Sequence, residues 1–339
     1  MARRILFVFF TVMTAVSAVF NAHAGVRAVR VGFFPNVTHA QALIGMADGT
    51  FRKCLGGGIK IEPFLFKAGP LAIEALFAGK LDLLYVGPAP AVNGYIKSKG
   101  EAVRIIAGSA SGGAALVVQP FLDVKKSGDL KGLRIATPQL GNTQDVALRH
   151  YLKDHGMKST EYGGNVSILP LGNTDLLALF KNKNIDGAWT VEPWVTLLQI
   201  EGGARVFLEE KDIWPQGKYL TTVLVAERKF LDARPDLVKK WLKAHVELTM
   251  HVEKNGKAAE KMVKSEIERL TYQPMNPAVI SGAFARLDFL YEPLPGCLKT
   301  MARYSYEEGF IQEKPDLEGI YDLNLLNKVL KEAGLRGVS

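Results

Sequence analysis

Two short stretches carry the residue types suited to holding a small anion. In "FFPNVTHA", Asn36, Thr38 and His39 follow an apolar run and stand where a helix begins. In "PQLGNTQDVA", Gly141, Asn142 and Thr143 repeat that arrangement about a hundred residues later. A helix start leaves its first backbone N–H groups without partners and carries partial positive charge. Small hydroxyl and amide side chains beside it make an anion site that needs no Lys or Arg. The same residues are also ordinary helix caps, and His39 reads as structural before it reads as a ligand contact. In "GSASGGAA", Ser111, Gly112 and Gly113 would let the backbone approach a ligand closely. "VGPAPA" offers Pro88 and Ala89, and "WTVEPW" offers Trp189, Glu192 and Trp194. The two tryptophans are either core residues or an aromatic wall for an organic tail. The loops are poor in basic residues, and Lys67 in "FKAGP" is the one nearby cation. A sulfonate-like oxyanion held by neutral donors fits this set better than a phosphate ester. Glu192 would repel an anion. It therefore caps backbone donors, meets an amine on the ligand, or flanks a bound cation.

Positioning such loops requires alternating strands and helices. "VRVGFF", "IKIEPFLF", "LDLLYVG", "VRIIAGSA", "RIATP", "NVSILPL", "IDGAWT" and "LTTVLVAE" read as strands, most of them apolar nearly throughout, as when both faces are covered. Helical spacing separates them in "THAQALIGMADGTF", "GPLAIEALFAG", "GNTQDVALRHYLKDHG" and "TDLLALFKN". That alternation predicts an α/β fold with mainly parallel sheets. The phrase "ALFAGKLD" (75–82) returns as "ALFKNKNID" (178–186), each leading through an apolar run to a Pro-containing turn. Two similar halves follow from it, with Gly79 in the left-handed turn of the first copy and Asn182 or Asn184 in that of the second. From about residue 234 the pattern predicts helices without intervening strands.

The 339 residues are 48% hydrophobic and 22% charged, enough for two sizeable cores. The net charge of +8 is dispersed with no basic run, which argues against nucleic-acid binding. "MARR", a 16-residue apolar stretch and "AHA" predict a secretory leader, residues 1–24, cleaved after Ala24. Its removal takes two arginines and leaves a net charge of +6. Cys54 and Cys297 could pair in an oxidising compartment or stay free. No metal-ligand spacing, no nucleophile elbow and no phosphate loop is present, so neither a cofactor nor catalysis is expected.

Taken in order, "VRVGFFPNVTHAQALIG", "AGPLAIEALFAGKLDLLYVGPAPAVNGY", "IIAGSASGGAALVV", "LKGLRIATPQLGNTQDVALRHYL", "IDGAWTVEPW" and "TTVLVAERKFLDARPDLVKKWLKAH" resemble periplasmic substrate-binding proteins of ABC importers in the sulfonate/taurine/nitrate/bicarbonate group. The resemblance covers nearly all of residues 29–333 and does not fix the ligand. It implies a two-lobed type II periplasmic binding fold, each lobe a mainly parallel sheet flanked by helices, with a helical C-terminal tail on lobe one. Lobe one would comprise 25–116 and 225–339, lobe two 117–224, with "AALVVQP" and "LTTVLVAE" near the crossovers. The four motif loops would meet at an interlobe cleft. A monomeric periplasmic binder that delivers a small molecule to an inner-membrane permease is the implied role.

Overall fold

The computed structural model describes residues 28–339; the expected leader, 1–24, lies outside them. Eleven strands occur among the described residues: β1 (Ala28–Phe33), β2 (Lys60–Leu65), β3 (Leu83–Val86), β4 (Val103–Gly112), β5 (Ala114–Val118), β6 (Arg134–Thr137), β7 (Ser167–Pro170), β8 (Gly187–Val191), β9 (Arg205–Glu209), β10 (Leu220–Glu227) and β11 (Leu287–Phe289). They form two sheets, ordered β11-β4-β10-β3-β1-β2 and β7-β6-β8-β5-β9. Helices cover both faces of each, which is why β3, β5 and β8 are buried at every position and read as unbroken apolar runs.

Both sheets are mixed. The ladders β2-β1-β3 and β7-β6-β8 are parallel. Antiparallel pairing enters with the strands next to a change of sheet: β10 lies against β3 and β4, and β5 against β8 and β9. Between β4 and β5 the chain changes sheet through Gly112 and Gly113, both at positive φ (80° and 69°). A β-carbon on Gly113 would stand 2.5 Å from the Leu287 side chain, so this turn needs glycine for space as well as dihedral freedom. It returns between β9 and β10.

The doubled phrase is a doubled structure. Arg30, in β1, binds Asp82 through its backbone N (2.7 Å) and its Nε (3.0 Å), and its guanidinium also reaches the Gly79 carbonyl. Arg134, which opens β6, binds Asp186 through N (2.8 Å) and Nε (2.9 Å) and reaches the Lys183 carbonyl at 2.6 Å. In each half one arginine ties its strand to the turn that ends a later helix and to the aspartate before the strand that follows that helix. The second copy's left-handed position is Lys183 (φ 59°), not Asn182 or Asn184. The turn closes by Asn184 N donating to Leu179 O, matching Lys80 N to Ala75 O in the first, and that register decides which residue takes positive φ.

The C-terminal region departs from the expectation in one element. The helix opening at Pro277 ends at Phe284, and Leu287–Phe289 pairs antiparallel with β4 at the sheet edge. Buried Leu287, exposed Asp288 and buried Phe289 alternate with the period of a strand. The helix Pro235–Lys254 packs against helices Ala40–Ala47 and Thr50–Leu55, whereas Pro295–Glu307 touches both Pro88–Lys97 and Thr143–Asp154. Cys54 and Cys297 are both free; they join different core clusters.

Candidate functional site

Helix starts from both sheets meet at one cavity. From the first sheet come the turn Val37–His39 that opens helix Ala40–Ala47, the start of helix Gly69–Phe77, and the start of Pro88–Lys97. From the second comes helix Thr143–Asp154. Asn36, Ala68 and Gly87 stand at the cap positions of the first three without a side-chain cap, so their leading N–H groups are not satisfied locally. Asn142 does cap, its side-chain oxygen accepting from Asp145 N at 2.9 Å. Asn36 instead accepts the Thr38 hydroxyl at 2.5 Å, which leaves its amide NH₂ unengaged at the cavity.

The cavity holds about 40 Å³, a few water volumes or one small polyatomic anion. Besides Asn36, Thr38, His39, Asn142 and Thr143 it is lined by Gln144, Asn173, Thr221, Gly87, Pro90, Pro138, Val191, Phe34, Ala68, Gly69 and Lys67. No carboxylate is among these lining residues, and Lys67 is the one cation. Burial pushes His39 down to about 3, so its ring is neutral. Its Nδ1 accepts from Phe34 N at 3.3 Å, which puts the ring proton on Nε2 as a donor. A second cavity of about 40 Å³ shares Phe34, Asn36, Lys67 and Asn173 with the first and adds Pro35, Thr174, Phe66 and Trp194. A polar chamber thus adjoins an aromatic one.

Asp145 organises the loop of the second sheet. Its buried carboxylate accepts from Thr137 Oγ1 (3.0 Å), Gly141 N (2.9 Å) and Arg149 Nε (3.1 Å). Gly141, at φ 72°, thereby shapes the turn without lining the cavity. The two sides touch where Ala89 N donates to Thr143 Oγ1 at 3.4 Å. Gly87 approaches closer still: a β-carbon there would lie 2.5 Å from Thr143 Oγ1.

Several expected contacts stand elsewhere. Pro88 and Ala89 flank the cavity without lining it. Ser111 is paired inside the first sheet with Leu220 and Asp288, and Gly112 and Gly113 form the passage between sheets. Trp189 is fully buried in the second half's core and donates to Glu210 at 2.8 Å; the aromatic that lines the second cavity is Trp194. Glu192 lines neither cavity. It accepts from Thr196 N (3.1 Å) and Thr196 Oγ1 (2.9 Å) and pairs with Arg286 Nε at 2.8 Å. Burial pushes its carboxyl up to about 7 against the pull of Arg286. Of its three readings, the cap is the one this geometry contains. Sequence reasoning read the helix "GPLAIEALFAG" but did not bring its start, Ala68 and Gly69, to the site. It also missed Asn173, although "LGNTD" (171–175) repeats "LGNTQD" (140–145). Among the described residues no group of three or more His, Cys, Asp or Glu could hold a metal ion, and no helix is long and apolar enough to cross a membrane.

The NMT1-like family matches residues 22–265. The chain is 27% identical over 221 residues to the taurine-binding periplasmic protein of Escherichia coli (strain K12), covering 65% of this chain and 66% of that one. It thus spans a little under two thirds of that curated relative's length. Among solved structures, the alkanesulfonate-binding protein SsuA from Xanthomonas axonopodis pv. citri, bound to MOPS, superposes with a TM-score of 0.73 at 18% identity, over 88% of this chain and 98% of that one. The periplasmic nitrate-binding protein NrtA from Synechocystis PCC 6803 gives 0.76 at 15% identity over 91% and 89%. These likenesses establish the two-lobed binding-protein fold.

Proposed function

The chain belongs to the NMT1-like family, and from that premise we propose that it captures a short organic oxyanion, an aliphatic sulfonate in the first place, between its two lobes. The observation that carries this reading is the meeting of four helix starts at a chamber with neutral donors, one lysine and no carboxylate among its lining residues. Such a chamber favours one negative charge spread over several oxygens. The adjoining cavity, with Phe66 and Trp194, accepts the tail. Asn36, Thr38 and His39 act from one side; Asn142 and Thr143 act from the other.

Capture proceeds by closure. The lobes separate about the crossovers at Gly112–Gly113 and 210–219, so the expected bounds at 116/117 and 224/225 move: Ala114–Leu116 pair within the second sheet and Leu220–Leu224 within the first. An open form exposes both sets of donors, and an oxyanion bridging them shifts the population toward the closed form. The closed form then docks on an inner-membrane permease in the periplasm, as a monomer reached through the leader, and it carries out no chemistry of its own. Because no carboxylate lines either cavity, an amine on the ligand finds no counter-charge. Plain alkanesulfonates therefore bind more tightly than taurine. The small polar chamber supports a second reading, a bare nitrate- or bicarbonate-sized anion.

Calorimetry with ethanesulfonate, butanesulfonate, taurine, nitrate, bicarbonate and a thiamine precursor tests both. Tightest binding by an alkanesulfonate supports the first reading and tightest binding by nitrate or bicarbonate the second. Absence of binding by every anion removes both.

A further inference from the structure

A larger groove, about 370 Å³, opens away from this chamber, on the seam where helix Thr143–Asp154 meets the end of helix Pro295–Glu307. Its walls differ in hydrogen-bonding sense. On one side Arg149, whose side chain is 2% exposed, gives Nε to Asp145 and Nη1 to Glu161 Oε2 at 2.7 Å, while Nη2 is buried without a partner. Ser159, 4% exposed, lines the same wall and its buried hydroxyl has no partner either. On the other side Glu308 Oε1 is buried without a hydrogen bond, with Lys153 Nζ at 3.6 Å and His150 Nδ1 at 3.9 Å. Met157 and the exposed ring of Tyr162 supply apolar surface between them. Buried polar atoms left unpaired are uncommon, and here three belong to residues of one groove.

We propose that this groove is a second ligand site, for a small zwitterion with a carboxylate, an ammonium group and a short apolar body. Arg149 and Ser159 take the carboxylate; Glu308, beside Glu307, takes the ammonium. Two open donors match the two oxygens of a carboxylate. A dianion is disfavoured, because Asp145 and Glu161 already balance Arg149, and Lys153 and Lys158 in the lining are matched by Glu307 and Glu308, so the groove suits a ligand without net charge. One wall belongs to each half of the molecule, so occupancy favours the arrangement in which the halves meet, with no requirement on what the cleft binds.

Calorimetry of the full chain with L-leucine and L-phenylalanine tests the site, with isovalerate and isopentylamine as partners lacking the ammonium or the carboxylate. Saturable binding of an amino acid is expected, at least tenfold weaker for either truncated compound. Ser159→Ala removes a hydroxyl with no partner, so the ligand-free melting temperature should hold while affinity falls about tenfold. Glu308→Gln should lower affinity to a similar extent. Lys67→Met, in the cleft and remote from the groove, should leave amino-acid binding unchanged. The proposal is overturned by absence of binding, by wild-type affinity in both groove variants, or by a loss confined to the cleft variant.

Discussion

Gly87→Ala isolates closure from folding. Gly87 has φ −65° and ψ 155°, dihedrals that alanine adopts without strain. The new methyl would stand 2.5 Å from Thr143 Oγ1, with the next atoms at 3.6 and 3.7 Å. Relief needs about 1 Å of separation between the two sides of the cleft, since carbon–oxygen contacts settle near 3.4 Å and beyond. Overpacking of this kind costs about 1–3 kcal/mol. Carried by the closed form alone, that is about 5- to 150-fold weaker ligand binding. The ligand-free melting temperature should hardly change, because the lobes part without exposing either core. Thr143→Ala removes the obstructing oxygen, so the pair of substitutions should bind more tightly than the sum of their separate losses implies. Calorimetry and thermal unfolding on the four proteins read this directly. Wild-type affinity in Gly87→Ala, or a fall in ligand-free stability as large as the loss in binding, would refute the reasoning.

Asn142→Ala/Thr143→Ala should weaken binding at least tenfold by calorimetry and lower stability by about 1 kcal/mol, because Asn142 also caps its helix. Lys67→Met should weaken binding and flatten its dependence on salt, which titrations at low and high ionic strength would show. Asp82→Ala should cost about 2–3 kcal/mol in urea unfolding, because the backbone N and Nε of Arg30 both lose a charged acceptor. Burial lowers His39 to about 3 and His245 to about 4. Both lie below the unfolded value, so the unfolded chain binds more protons at these groups. Their contribution to stability is complete above about pH 6.5 and declines as pH falls toward about 4. Thermal unfolding across that range checks it: His245→Gln should flatten the slope, and an unaltered slope would count against the assignment.

The architecture was legible because its signals are local and repeated. Apolar runs marked the covered strands, and "ALFAGKLD" with "ALFKNKNID" marked two halves that share an arginine–aspartate clasp. Strand β11 escaped notice because three alternating residues inside a helical stretch are too few to set a period. The lining of the candidate site was legible where a polar residue opens a helix, as at Asn36 and Asn142. It was illegible where the geometry is tertiary. Ser111 and Trp189 have suitable chemistry, but strand pairing and core packing claim them. Thr221 enters the chamber from the return strand, with no motif to announce it. Glu192 was ambiguous because its partner Arg286 lies 94 residues away in the chain, beyond any spacing argument.

The most direct measurement is a crystal structure of the protein with the tightest-binding sulfonate of the calorimetric panel. Sulfonate oxygens should lie within hydrogen-bond reach of the Asn36–His39 turn and of Asn142 or Thr143 together, with the tail toward Trp194. A sulfonate held by one side alone, or resting outside this chamber, would contradict capture between the lobes.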